Sequence, residues 1–168
     1  GIGEDDICEI AKETAFAVGT PARMEGAGDP SPHTARGVFD CALRTVRRVL
    51  HRENMDGLRV AVQGLGHVGW ALCALYHDAG ASLVVADIDA EKAARAAELW
   101  GATVGSTDRI HASDVDIYSP CALGGAINDA TLPEIRARLV VGAANNQLQR
   151  DSLAVDLLNA GIVYVPDF

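Results

Sequence analysis

Gly64, Gly66 and Gly69 in the segment VQGLGHVGWAL, together with Asp87 at the end of LVVAD, are the residues whose types and spacing carry the clearest chemistry. A G-x-G-x-x-G between an apolar run and a helical apolar pattern gives a sharp turn, a close backbone approach and a close helix contact, one glycine for each. Amides at the start of the following helix can then face a diphosphate, which the positive end of the helix dipole favours. Asp87 follows the last of these glycines by about 20 residues, where a carboxylate accepts hydrogen bonds from ribose hydroxyls. The implied ligand is a dinucleotide. An acid at the ribose repels a 2'-phosphate, so NAD is expected over NADP. The plainer alternative, that Asp87 only ends a strand or caps a helix, competes with Asp89, which is better placed as a cap.

Two loops could complete such a site. Ser119 to Gly125 is built of small residues that let backbone groups approach a nicotinamide ribose, and Gly142 to Gln147 offers the adjacent amides Asn145 and Asn146 as donors and acceptors for a ring or substrate. A turn with one asparagine in the left-handed region is the structural alternative for that pair. Cys121 has no evident histidine partner, which argues against a nucleophile. His67, inside the glycine turn, suits solvent or phosphate contact better than catalysis. His33, His51, His77 and His111 are scattered, and Cys8, Cys41, Cys73 and Cys121 show no C-x-x-C. Neither a metal site nor a disulfide framework is expected, and a reduced, cytoplasmic compartment fits.

The elements that must position these residues read as an alternation of strands and helices. An amphipathic helix is a candidate from Asp5 to Ala17, and Pro21, Gly26, Gly28 and Pro30 mark a loop from Thr20 to Ser31 that serves as a hinge. Ser31 reads as an N-cap with Pro32 at the first helical position, opening a helix of about five turns that carries Ala35, Phe39, Ala42, Val46 and Leu50. Strands are expected at Leu58–Val62, from Leu83 into Asp87, at Thr103–Val104, Val115–Tyr118, Leu139–Gly142 and Ile162–Val165, with helices after the glycine turn, at Ala90–Trp100 and at Ser152–Ala160. Such alternation implies an α/β fold of the Rossmann type: a doubly wound, mainly parallel six-stranded sheet with helices on both faces, in the order 3-2-1-4-5-6. Residues 1–31 then form an N-terminal segment and hinge, and 32–168 the nucleotide-binding domain.

Composition narrows the classes of partner. The chain of 168 residues is 49% hydrophobic but only 5% aromatic, with 17 glycines, which suits a small-residue α/β sheet. Its net charge of -9 makes nucleic acid and anionic membranes poor partners. Neither a signal segment nor a run of transmembrane length is visible in the sequence.

Taken together, GAGDPSPHTARGVF (26–39), VAVQGLGHVGWAL (60–72), LVVADID (83–89), DIYSPCALGGAIND (116–129), GAANNQL (142–148) and GIVYVPDF (161–168) make the chain similar to the dinucleotide domain of the leucine, phenylalanine and valine dehydrogenases, relatives of glutamate dehydrogenase. The resemblance implies NAD-dependent, reversible oxidative deamination of an apolar L-amino acid to a 2-oxo acid and ammonia, in a homo-oligomer. It implies that Gly64, Leu65, Gly66, His67, Val68 and Gly69 hold the pyrophosphate and that Asp87, with Ile88, holds the adenosine side. Thr34, Cys121, Ala122, Leu123, Ala144 and Asn145 fall at the nicotinamide side, with Asn146 shared between cofactor and substrate. The family's catalytic lysine and aspartate belong to a preceding domain and have no counterpart here, where Lys12 and Lys92 are the only lysines. No catalytic residue is therefore expected in this chain, which reads as a piece of a longer enzyme beginning at Gly1. A stand-alone dinucleotide-sensing or interaction module is the alternative.

Overall fold

The computed structural model describes residues 3–21 and 28–167. Gly1, where the fragment reading places the start, Gly26 in the hinge loop and Phe168 at the end of the last segment lie outside the described residues. Helix α1 spans Glu4–Glu13 and ends well before Ala17, because Thr14 turns extended (φ -151, ψ 141). Helix α2 runs Ser31–Thr45 and continues through Val46–Leu50 in wider π-helical turns. Its cap is shifted by one residue from the sequence expectation: Pro30 is the N-cap, and Ser31 is already helical. The physical reason is Asp29, whose Oδ1 accepts the Ser31 N–H at 2.9 Å and so takes the role assigned to the serine hydroxyl.

The six strands are β1 (Arg59–Gln63), β2 (Ser82–Ala86), β3 (Thr103–Val104), β4 (Ile117–Pro120), β5 (Leu139–Val141) and β6 (Val163–Val165). Each pairs in parallel with its neighbours in the order β3-β2-β1-β4-β5-β6, as the alternation predicts. Helices α3 (His67–Asp78), α4 (Ala90–Trp100) and α5 (Leu153–Asn159) supply crossovers. Successive strand residues point to opposite faces, so Val60 and Val62 join a core with Phe39, Ala42, Leu72, Tyr76 and Ala96 from α2, α3 and α4. Ala61, Tyr118 and Val140 turn the other way, onto Leu157 of α5 and onto Ile110, Ile127 and Ile135. Helices thus cover both faces of the sheet.

Buried polar groups in these cores are paired where they lie near the strand ends. The Tyr76 hydroxyl lies 3.2 Å from Ser119 Oγ, and Tyr118 donates to Gln63 Oε1, fixing the residue just before the glycine turn. Phe39 and Tyr76 pack with ring centroids 5.7 Å apart, joining α2 to α3. Among the described residues, no helix is long and apolar enough to cross a membrane.

Candidate functional site

The carboxyl ends of β1, β2 and β4 are tied together at the glycine turn. Gly64 N–H donates to the Ala86 carbonyl at 2.8 Å and Cys121 N–H to the Gln63 carbonyl at 2.7 Å. Gly64 adopts φ +96, and a Cβ there would stand 2.9 Å from Ala122, so both conformation and space demand glycine. At Gly69 a Cβ would be 2.0 Å from the Gly64 carbonyl oxygen, so α3 can lie this close to the turn only without a side chain. Gly66 is the N-cap of α3 and brings no capping side chain, so the amides of the first helical turn are left for another acceptor. A Cβ added at Gly66 would meet nothing within 4 Å. The space in front of the turn is open.

Asp87 sits at the mouth of that turn. Its Oδ2 accepts the Leu65 N–H at 2.5 Å and its Oδ1 the Asp89 N–H at 2.8 Å. The carboxylate therefore holds the turn against β2, and its remaining lone pairs are available to hydroxyl donors. Asp89 caps α4, accepting from Glu91 and Lys92, as the sequence suggests. Ile88, between the two acids, is 96% exposed.

A cavity of about 360 Å³ opens over the turn, lined by Asp29, Ser31, Pro32, Leu65, Gly66, His67, Trp70, Lys92 and Arg95. The sequence reading missed Asp29, Lys92 and Arg95, which the crossing of α2 and α4 past α3 brings here. Arg95 lies over the Trp70 ring at 5.3 Å from its centroid, Lys92 is 3.7 Å from Asp89, and His67 Nδ1 is 3.7 Å from Asp29 Oδ2. Hydrogen bonds from the Ser31 hydroxyl and N–H, with a smaller pull from His67, hold Asp29 below the ordinary carboxylate range despite some desolvation. Its negative charge so persists beside the cations.

The loops after β4 and β5 meet farther along the strand ends. Ala143 and Ala144 donate to the Pro120 carbonyl at 3.0 and 2.9 Å, and Gly125 N–H donates to the Asn146 carbonyl at 2.8 Å. A second cavity, about 210 Å³, is lined by Thr34, Cys41, Gly142, Ala143, Asn145, Pro166 and Asp167 among others. The structure thus brings Thr34 and Asn145 together across α2 and the β5 loop. Asn146 takes the left-handed conformation foreseen for one residue of the pair (φ 52), and its N–H donates to Asp167 Oδ2 at 2.7 Å. Asp167 was not foreseen as part of this loop. Burial pushes its carboxyl up, but the N–H groups of Asn146 and Gln147 and the Tyr164 hydroxyl outweigh that and leave it lowered.

The remaining site candidates differ in exposure. Leu123 is 84% exposed, whereas Ala144 is buried and can offer only its placement of neighbours. Val68 is half-buried on the first turn of α3, and Ala122 faces Gly64. Burial pushes the Cys121 thiol up to about 12, which makes it a packing side chain and not a thiolate at neutral pH. Gln147, which the sequence marks only as the end of the second polar loop, is fully buried, and its Oε1 has no hydrogen-bond partner among the described residues.

Comparison with known proteins finds relatives along nearly the whole chain. The family model Glutamate/Leucine/Phenylalanine/Valine dehydrogenase matches residues 86–168. Leucine dehydrogenase of Bacillus cereus is 39% identical over 168 residues, covering 100% of this chain and 46% of its own length. L-tryptophan dehydrogenase of Nostoc punctiforme is 44% identical over 168 residues, covering 99% of this chain and 47% of its own. The crystal structure of L-tryptophan dehydrogenase from Nostoc punctiforme superposes with a TM-score of 0.83 at 41% identity, over 97% of this chain and 46% of that one. The chain therefore spans about half the length of the curated relatives it matches. In sequence over nearly its whole length, and in fold, the chain is similar to members of the glutamate/leucine/phenylalanine/valine dehydrogenase family, whose model matches its residues 86–168.

Proposed function

We propose that this chain is the cofactor-binding half of an NAD-dependent L-amino-acid dehydrogenase that interconverts an apolar amino acid with its 2-oxo acid and ammonia. The observation that carries this reading is the Asp87 carboxylate seated at the mouth of an open glycine turn, 2.5 Å from Leu65 N. A dinucleotide fits the residues present: the space in front of Gly66 is clear, and the first-turn amides of α3 lack a capping side chain.

The diphosphate would be held by the turn from Gly64 to Gly69, with Lys92 and Arg95 offsetting its charge. Asp87 would accept from the adenosine ribose and Ile88 would offer its exposed side chain to the adenine. Thr34, Cys121, Ala122, Leu123, Ala144 and Asn145 would frame the nicotinamide end, with Asn146 reaching the substrate's amino group. NAD, when bound, supplies the two-electron acceptor. What this chain contributes is binding and orientation, since amino-acid oxidation also needs a base near the substrate nitrogen. Neither lysine is placed for that: Lys12 pairs with Glu9 on α1, and Lys92 lies by Asp89.

The same reading takes residues 1–31 as the hinge side and 32–168 as the NAD domain of a homo-oligomeric, cytoplasmic enzyme. Its test is turnover by the full-length protein with NAD and leucine, phenylalanine or valine. NADH formation with at least one of them is expected. Asn146→Ala should reduce turnover at least tenfold while NAD affinity holds, on the order expected for loss of one substrate-orienting group. No NADH from any apolar amino acid would remove the reading.

A further inference from the structure

Gln147 raises a question the cofactor site does not answer. It is fully buried, its Nε2 donates to the Gly142 carbonyl at 3.3 Å, and nothing among the described residues donates to its Oε1. Because a carbonyl can only accept, the bond to Gly142 fixes which way the amide faces. That bond joins the two ends of one loop. Between them lie Ala143 and Ala144, both bonded to the Pro120 carbonyl, then Asn145 in the wall of the cleft opposite Thr34, then Asn146 at φ 52. The main chain at Gln147 is anchored too, its carbonyl accepting the Ile127 N–H at 3.0 Å.

An apolar side chain of similar length would occupy the same space with no acceptor to desolvate, so stability alone favours leucine or methionine here. Residues that break a local rule in this way collect where position matters more than stability. We propose that Gln147 is a positioning residue for the nicotinamide and substrate end of the site: its bond to Gly142 staples the loop so that Asn145 faces the cleft. This rests on the dehydrogenase reading for its catalytic consequence, but not for its conformational one. Asn146 also bonds Asp167 and Gly125, so a loop without the staple is expected to open more often, these bonds included, without the domain unfolding.

The test compares the full-length wild type with Gln147→Met and Gln147→Leu. The thermal midpoint should be equal to or above that of the wild type, while amide exchange at Ala143, Ala144 and Asn146 accelerates about tenfold or more and the rest of the domain is unchanged. The kcat for amino-acid oxidation should fall roughly 10- to 100-fold, with NAD affinity within about threefold, as displacement of an orienting group predicts. A lowered midpoint in both variants, or unchanged exchange at these three amides, would overturn the proposal. A wild type that oxidises no amino acid would sink the dehydrogenase reading instead, and the exchange comparison would still decide the role of Gln147.

Discussion

At the scale of single residues, the account rests on side chains whose replacement has a definite sign. Gly69→Ala puts a methyl group 2.0 Å from the Gly64 carbonyl oxygen, which neither the turn nor α3 can absorb locally. We expect a loss of roughly 3 kcal/mol or more in denaturant-unfolding free energy, the upper end of overpacking. Asp167 makes a prediction in pH. Its folded-state pKa is lowered from the ordinary 3.8, so its stabilising contribution is fully present above that value and is lost as pH falls through the lower folded value. Asp167→Asn should flatten the acid limb of a stability-pH curve below about pH 4, where the paired carboxylate would otherwise take up its proton. An unchanged acid limb would show that the contacts of the Asp167 carboxylate with Asn146, Gln147 and Tyr164 together contribute nothing to stability.

At the scale of elements, some boundaries are written in the chain and others are not. Helix α4 is bounded as its residues dictate, by the Asp89 cap and by Gly101 in the left-handed region. Asp89→Ala should therefore cost about 1 kcal/mol, measured by thermal or chemical denaturation, as the loss of an N-cap does. Strand ends were less legible. β1 occupies Arg59–Gln63 and β4 occupies Ile117–Pro120, displaced toward the carboxyl end from the apolar runs Leu58–Val62 and Val115–Tyr118. Strands covered on both faces are apolar throughout, so pairing register, here Gln63 opposite Pro120, sets where they stop. The opening of α2 was misread because Asp29, two residues before the helix, does the capping.

The geometry of the candidate site was legible to the extent that it is local. The glycine turn, Asp87 and the two loops follow from short segments, whereas Lys92 and Arg95 reach the cavity only through the packing of α4 beside α3. Asp167 meets Asn146 across 21 residues of chain, a contact no local pattern announces.

At the scale of the whole molecule, the parallel sheet places every loop of the proposed site on one edge, at the carboxyl ends of its strands. Binding and orientation are the tasks this arrangement supports. The 168-residue chain alone should bind NAD yet form no NADH from amino acids, because neither of its lysines lines the cleft between Thr34 and Asn145. Amino-acid oxidation by the chain alone would show that a base had been overlooked. The central claim is tested most directly by calorimetric titration of NAD and NADP into this chain and its Asp87→Asn variant. The account predicts at least about tenfold tighter binding of NAD by the wild type, from hydrogen bonds to a charged acceptor, and a much smaller difference in the variant. Equal affinities of the wild type for the two cofactors would contradict it.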